Sequence, residues 1–578
     1  MCGIIGYVGE RKASEIIYKG LKTLEYRGYD SVGVVVDTPK GIELRKDKGM
    51  VEEVSAAMQF TSMDGTTGIG HTRWATHGAP CRENAHPHTD CTGKIAIVHN
   101  GVIENYQELK EELLKKGHKF SSETDSEIIA HLVEDERKGK GTFHAFLASL
   151  KKLKGSFAIA LLAEGEKKLY VARKNSPLVI GLGKGESLAA SDIAGMLEHT
   201  KDFVPLGELE AAVLEPNSVK FYSLEGKEMQ KTPMHVDWSP EMAEKGGYAH
   251  FMLKEIYDQK HFVYESLATD VSAANALISK HKTIHITACG TSYHAALMFK
   301  YLSQKYLGKA CDVIIASEYP FISSPDKETL VIAISQSGET ADTMKALEHA
   351  KGKGAKVLAL TNVVGSSITR AADEVVYLNS GPEVSVAATK TFTSQLAVIY
   401  KLLFPGNDFS EIPKLIAESL QHEEEIRKIA ESIKGKTDVF FIGRGMSVPL
   451  AMEGALKLKE ISYIHAEAYP GGELKHGPLS LISEGVPVIA LAPSDETIYK
   501  MLGNIKEVRA RGGLVISLSS SPEVWCESSL SIKLPAADPL LLPFAMVIPL
   551  QLLAYYVSVG RGINPDRPRN LAKSVTVE

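Results

Sequence analysis

The chain opens MCGIIGYVG, with a cysteine directly behind the initiator methionine. Methionine aminopeptidase removes Met1 when the next residue is small, and Cys qualifies. Cys2 would then carry a free α-amino group, which titrates at about 8, beside its own thiol. One residue would deliver a nucleophile and a general base, the logic of N-terminal-nucleophile enzymes. The competing reading is a small buried apolar side chain opening a Gly-punctuated strand.

A second constellation is ISQSGET, Ile334 to Thr340, which follows an apolar strand and opens a helix. Backbone N–H groups at a helix N-terminus favour anions. Ser335, Ser337 and Thr340 add hydroxyls, Gln336 adds an amide donor, and Gly338 lets the backbone approach closely. With no Lys in the loop, a monophosphate fits better than a nucleotide triphosphate. Ser292, in the strand-to-helix loop CGTS, is expected to join it. One Ser would suffice for a plain helix cap, and this loop exceeds that. A third constellation is KLKEIS, where Lys457 and Glu460 share a helix face as either a solvated ion pair or a carboxylate beside a cation.

The elements that must hold these residues fall into two regimes. Over the first ~220 residues, β-rich runs (GIIGYVG, SVGVVVD, KIAIVHNG, SFAIALLA, KLYVARK) alternate with helical patterns such as ASEIIYKGLKTLEY, ENYQELKEELLKKG and TDSEIIAHLVEDE. Such a pattern predicts an α+β fold of sheets covered by helices. After a loose stretch over 226–247 the chain repeats itself. HITACGTS recurs as VFFIGRGMS and VIAISQSGET as VIALAPSDET, with Gly290 to Gly445 and Thr340 to Thr497 separated by 155 and 157 residues. Two tandem α/β domains with parallel sheets follow. In the second copy Ala492, Pro493 and Asp495 replace Ser335, Gln336 and Gly338, so an anion is expected only in the first.

Composition excludes several classes. A net charge of −6 supplies no basic surface for nucleic acid or anionic membrane. Six dispersed cysteines make no disulfide framework, and no secretory signal pattern opens the chain, so a reducing cytoplasm is expected. The apolar run from Leu540 to Gly560 is broken by Pro543, Pro549 and Gln551 and is expected to be a buried helix. HTRWATHGAPCRENAHPHTDC holds four His and two Cys, but the cysteines lie ten apart and no metal site is expected there.

SQSGET, KLKEISYIHAEAYPGGELKHGP and PRNLAKSVTVE, behind MCGIIGYVG, LEYRGYDSVG and GHTRWATHG, resemble the glutamine–fructose-6-phosphate aminotransferase (isomerising) family along the whole chain. The resemblance implies an N-terminal-nucleophile glutaminase domain over 1–225, a linker over 226–247, and two SIS (sugar isomerase) domains over 248–420 and 421–562. A tail over 563–578 would pack on the sugar site. The implied reaction turns glutamine and fructose 6-phosphate into glutamate and glucosamine 6-phosphate, with internal ammonia transfer and no cofactor. It opens hexosamine synthesis.

By the same resemblance, Cys2 attacks the glutamine amide, while the Asn100 amide and Gly101 N–H hold the oxyanion; Asn-Gly also reads as a hairpin turn. Arg73 pairs with the substrate α-carboxylate, beside Thr76 and His77, or serves as a structural ion pair. Asp125 holds the α-amino group or caps the helix SEIIAHL. Trp74 gates ammonia. Glu460 moves the C1–C2 proton with Lys457 in support, His476 opens the sugar ring from a neighbouring subunit, and Lys573 forms a Schiff base. Val386 and Thr389 remain at the sugar loop, whereas Ala388 stands where some members have Ser. A homodimer, small-molecule substrates, and no nucleic-acid or membrane partner are implied. An amidophosphoribosyltransferase lacks support because no phosphoribosyl motif is visible. A catabolic SIS deaminase would have no use for Cys2 and Arg73, and a sugar-phosphate-sensing regulator would leave Glu460, His476 and Lys573 idle.

Overall fold

The computed structural model describes residues 2–75 and 77–576. The chain divides into two compact units, Met1–Ala243 with Ser574–Glu578, and Glu244–Lys573.

The N-terminal unit holds an eight-stranded and a seven-stranded sheet with antiparallel pairing. Period-two alternation sends the side chains of strands Ile95–Ile103 and Gly155–Ala163 to opposite faces. Ile95, Ile97, Ile159 and Leu161 pack with residues of helices Tyr106–Lys115, Glu127–Glu136 and Thr142–Leu150. Ala96, Val98, Ala158 and Ala160 face the other way and share a core with Ile4, Val35 and Ile69 of the eight-stranded sheet. Alanines on that face let the two sheets close together. Helix Ala13–Leu24 buries Ile16, Ile17, Leu21 and Leu24 against strands Gly3–Val8 and Thr67–Arg73. The result is helix, sheet, sheet, helix. The stretch 226–247 contains two short strands, Glu228–Met229 and Met234–His235, one paired into each sheet.

The C-terminal unit contains two five-stranded sheets with parallel pairing throughout. In the first, Thr283–Ala288 lies between Asp312–Ile315 and Thr329–Ser335, followed by Lys356–Thr361 and Glu374–Tyr377. The second repeats that order with Asp438–Gly443 between His465–Pro470 and Pro487–Leu491, followed by Leu514–Ser519 and Leu530–Lys533. Both are doubly wound sheets of order 2-1-3-4-5, so the sequence repeat is a structural repeat. One apolar core runs through both, joining Ile286, Ile332 and Phe392 of the first repeat to Phe441, Ile489 and Leu550 of the second.

Helix Leu542–Gly560 is apolar on every side and buried along nearly its whole length. Its polar residue Gln551 is fully buried and satisfied: it accepts from Gln259 Nε2 at 2.7 Å and donates to the Thr389 carbonyl at 3.2 Å. The segment after this helix is clipped back by Asp566, whose carboxylate accepts from the N–H groups of Phe251 and Met252 at 2.8 Å each. Those are the first two residues of helix Phe251–Ala268, whose own cap residue supplies no side-chain bond. Asp566→Ala is expected to cost about 1–2 kcal/mol, as loss of a helix cap does. Denaturant melts would measure this, and limited proteolysis should show faster cleavage at Arg567 and Arg569.

Candidate active sites

Antiparallel register builds the first site. Gly3 pairs with Thr72, so Cys2 and Arg73 leave adjacent strands side by side. The Cys2 thiol accepts from the Trp74 N–H at 3.2 Å and lies 3.6 Å from the Trp74 carbonyl. Burial pushes the thiol pKa up, opposed by the Trp74 N–H and the Arg73 and Arg27 charges. Arg27 Nε donates to the Cys2 carbonyl at 3.2 Å, and the Asp30 carboxylate accepts from the Ala75 N–H at 2.8 Å. Both belong to LEYRGYDSVG, a motif for which the sequence suggested no role.

Asn100 and Gly101 lie inside strand Ile95–Ile103, paired through Ile103 with Gly155, and not in a hairpin turn. The turn reading fails because the ladder to Gly155–Ala163 continues past them. Gly101 has φ +130°, and a Cβ there would stand 2.1 Å from the Ser156 carbonyl oxygen, so only glycine fits. Asn100 Nδ2 donates to the Cys2 carbonyl and to Ser191 Oγ, both at 2.9 Å. Its Oδ1 accepts from His71 Nε2 at 3.0 Å. His71 thereby orients Asn100, a role the sequence did not suggest.

Arg73 is 4% exposed. Its Nη2 donates to the carbonyls of His77 and Gly78, while Nη1 is buried without a hydrogen-bond partner among the described residues. Burial lowers its pKa, against the charges of Cys2, Asp30 and Asp125. A buried guanidinium edge left open suits an incoming carboxylate. Asp125 does not cap the following helix. The cap position is Ser126, which makes no side-chain cap bond, and Asp125 Oδ2 accepts from the Ile103 N–H at 2.7 Å. Trp74 packs edge-on to Tyr29 and His77 to Tyr106. Thr76 lies outside the described residues.

The second site lies at the switch point of the first doubly wound sheet. Ala288 pairs with Ile334, so Cys289 with the helix Gly290–Leu307 that follows it, and the loop 336–340, leave the carboxyl ends of neighbouring strands, where ligands bind in such sheets. Ser292 lies in the first turn of that helix and not in a loop. Thr340 stands at the cap of helix Ala341–Gly352 but makes no side-chain cap bond. Its hydroxyl instead meets Ser335 Oγ at 3.2 Å, and Ser335 Oγ accepts from the Gly338 N–H at 3.1 Å. Ser337 Oγ accepts from the Glu339 N–H at 3.2 Å. Gln336, half-buried, gives its backbone carbonyl to the Asn362 N–H at 3.1 Å. Gly338 has φ +64° and would set a Cβ 2.1 Å from Ser366 Oγ. Ser292 accepts from Gln395 Nε2 at 2.9 Å. In the second copy Asp495 accepts from the Thr497 N–H at 2.8 Å and its hydroxyl at 2.7 Å.

Helix Ser447–Ser462 of the second repeat meets the first at Thr291. Lys457 Nζ donates to Thr291 Oγ1 at 3.0 Å and pairs with Glu460 Oε2 at 2.8 Å and Glu453 Oε1 at 3.4 Å. Lys457 is 1% exposed, so the solvated-pair reading of KLKEIS is overturned. Burial works against its charge, yet the Glu453 and Glu460 carboxylates outweigh it and hold the ammonium above its ordinary pKa. Glu453, fully buried, also accepts from His294 Nδ1 at 2.7 Å and from Thr291 Oγ1 at 3.1 Å. The sequence reading missed Glu453. Its signal was E-x3-K-x2-E on an apolar helix. Glu460 keeps a fifth of its side chain exposed and can meet a substrate.

Lys573 pairs with the fully buried Glu383, which also accepts from the Thr389 and Thr391 N–H groups and the Thr391 hydroxyl. Glu255 stands close by; burial first, then the Glu383 charge, pushes it up to about 8. Around this loop Ser385 Oγ, Thr389 Oγ1 and Gln395 Oε1 are buried without partners among the described residues. The Val386 N–H donates to the Asp566 carbonyl at 3.4 Å, and Ala388 is half-buried. His476, at the end of the short helix Gly471–His476, is exposed. Among the described residues it makes no hydrogen bond or ion pair with Lys457, Glu460 or Lys573.

These features define a glutamine amidotransferase unit followed by a pair of sugar-isomerase repeats. The glutamine amidotransferase domain model matches residues 71–198, and the SIS domain model matches 277–404 and 432–561. The chain is 51% identical to glutamine–fructose-6-phosphate aminotransferase (isomerising) of Thermococcus kodakarensis and 49% identical to that of Pyrococcus horikoshii, each over 100% of both chains. The solved C-terminal domain of glucosamine-fructose-6-phosphate aminotransferase from Francisella tularensis matches with TM-score 0.52 and 40% identity, covering 56% of this chain and 99% of that one. The chain belongs to the glutamine–fructose-6-phosphate aminotransferase (isomerising) family.

A pH dependence follows from the buried histidines of the first site. Burial holds His71 at about 3 and pushes His86 and His88 well below the ordinary value. These rings stay neutral when folded, while the unfolded chain takes up protons below about pH 6.5. Stability should therefore fall as pH drops from about 6.5 towards 3. Thermal melts across that range should show the midpoint falling, and less steeply in His86→Gln.

Proposed function

We propose that the chain transfers the amide nitrogen of glutamine to fructose 6-phosphate and isomerises the product to glucosamine 6-phosphate, releasing glutamate. The observation that carries this reading is one chain with both a Cys2 site, flanked by a guanidinium edge open to a carboxylate, and a hydroxyl-lined loop at a switch point.

In the N-terminal unit, loss of Met1 gives Cys2 its α-amino base. The Cys2 thiolate attacks the glutamine amide carbon, and the α-amine carries the thiol proton to the leaving ammonia. Gly101 N–H and Asn100 Nδ2 stabilise the oxyanion, Asn100 giving up its bond to the Cys2 carbonyl. Water then hydrolyses the γ-glutamyl thioester. Arg73 Nη1 holds the substrate α-carboxylate and Asp125 its α-ammonium, with His77 beside them. Trp74, whose backbone touches the thiol, gates ammonia.

In the C-terminal unit, Ser292, Ser335, Gln336, Ser337 and Thr340 hold the phosphate. The used-up donors around Asp495 support keeping it in the first repeat. Val386 and the orphaned polar atoms near it meet the sugar. Lys573, released from Glu383, condenses with the C2 ketone, and ammonia then displaces its amine. Glu460 takes the C1 proton and returns it at C2, with Lys457 stabilising the charge that develops on oxygen. His476 opens the ring in a second copy of the chain, a reading supported by its exposure. Domain limits at 225, 247, 420 and 562, a homodimer, and a reducing cytoplasm complete the reading. Six free thiols favour that compartment.

Purified Cys2→Ala protein should lose glutamine-dependent glucosamine 6-phosphate synthesis yet still interconvert fructose and glucose 6-phosphates. Retention of full synthesis would refute the nucleophile assignment, and loss of both activities would refute the two-site reading. Gln336→Ala should raise the KM for fructose 6-phosphate about 10- to 100-fold, the effect of one hydrogen bond to a charged group, without moving the KM for glutamine. Steady-state kinetics with each substrate varied would read both.

A further inference from the structure

Away from both sites, Cys91, His118, His131 and Glu134 bring four ligand atoms together. Among the described residues theirs is a group of Cys, His and acidic side chains whose atoms all lie within 4.8 Å of one another. Cys91 Sγ is 3.6 Å from His118 Nδ1 and 3.5 Å from His131 Nδ1. Glu134 Oε2 is 3.0 Å from His118 Nδ1 and 3.4 Å from His131 Nδ1. Tetrahedral zinc, with bonds of about 2.3 Å to sulfur and about 2.0–2.1 Å to nitrogen or oxygen, sets S and N about 3.5–3.6 Å apart and N and O about 3.3–3.4 Å apart. Three of the four spacings match a common central ion, and the fourth, His118 Nδ1 to Glu134 Oε2, is shorter by about 0.3 Å. We propose that these four residues bind one zinc ion as a structural site of the N-terminal unit.

The hydrogens around the cluster agree. Each imidazole Nδ1 faces both Sγ and Oε2, whereas a single N–H would point at one of them. The far nitrogen of His131, Nε2, faces Glu127 Oε1 at 3.7 Å and has no hydrogen-bond partner among the described residues. A proton on Nε2 leaves the Nδ1 lone pair free for a metal, the carboxylate–histidine arrangement of zinc sites. The outer shell supplies donors to the two anionic ligands. The Lys119 N–H lies 3.4 Å from Cys91 Sγ, and the Cys91 N–H donates to Glu134 Oε2 at 3.1 Å. The ligands differ in exposure, Cys91 at the surface and His131 at 1%.

Such an ion ties three segments. Cys91 precedes strand Ile95–Ile103, His118 follows helix Tyr106–Lys115, and His131 and Glu134 sit on helix Glu127–Glu136. Glu127, behind His131, accepts from the N–H and hydroxyl groups of Ser121 and Ser122, at the start of the loop that ends in Asp125. The ion would brace that loop from outside the glutamine pocket.

The test uses full-length protein in the Cys2→Ala background, which removes the thiol of the glutamine site. Chelator-stripped protein is loaded with zinc for elemental analysis and with cobalt(II) for absorption. The expected result is one metal per chain, tetrahedral cobalt bands with a thiolate charge-transfer band, and a thermal midpoint raised by zinc. Cys91→Ser and His131→Asn should lose the bound metal, Glu127→Gln should weaken it about 10- to 100-fold, and Cys81→Ser should change nothing. Substoichiometric metal in the parent overturns the proposal even if the ligand variants fail to fold. Full metal retained in Cys91→Ser and His131→Asn overturns it as well.

Discussion

The sugar-isomerase half rests on one buried ammonium. Lys457 is held by two carboxylates of its own helix and by a hydroxyl from the other repeat, and the inner carboxylate, Glu453, is in turn held by His294 and Thr291. A buried charge is tolerated only where its partners are in place, and removal of one partner typically costs about 3–5 kcal/mol. The cluster therefore fixes how helix Ser447–Ser462 stands against helix Gly290–Leu307. In doing so it sets Glu460 at a defined distance from the loops that leave the first sheet. The polar network contributes specificity of packing where apolar contacts alone would allow the helices to slide.

The glutaminase half solves a different problem with backbone alone. Antiparallel pairing of Gly3 with Thr72 fixes Cys2 beside Arg73, and a glycine with positive φ inside another strand, Gly101, brings the second sheet to the same point. Side chains then refine the site. His71 sets the orientation of Asn100, and Arg27 holds the Cys2 carbonyl. Rigid strands position the thiol more narrowly than loops would, which suits the nucleophile role proposed for it, where base and oxyanion donors must lie within hydrogen-bond reach.

Much of this was legible in the residues. Alternation marked the strands, the repeat of CGTS and SQSGET marked the two α/β sheets, and Pro549 and Gln551 marked Leu542–Gly560 as internal. What escaped had a common cause: it depended on pairing between remote segments. Asn-Gly looks like a turn until its strand is seen to continue against Gly155–Ala163. Asp125 looks like a helix cap until its carboxylate is found on Ile103. Lys457 and Glu460 look solvated because nothing near them in sequence names Thr291 or the depth at which Glu453 lies. His118, His131 and Glu134 are separated from Cys91 by a strand and a helix, so no short spacing to Cys91 exists to be read.

The two repeats share one core, and helix Leu542–Gly560, the last long element made, passes through it. On the ribosome the first repeat therefore emerges with a broad apolar face and waits for roughly another domain's length of chain before that face can close. Tandem duplication has here produced a cooperative unit and not two independently folding beads. During synthesis the half-finished enzyme is a natural client for holding chaperones, and a pause or truncation late in the message would release a sticky intermediate in place of a functional first domain.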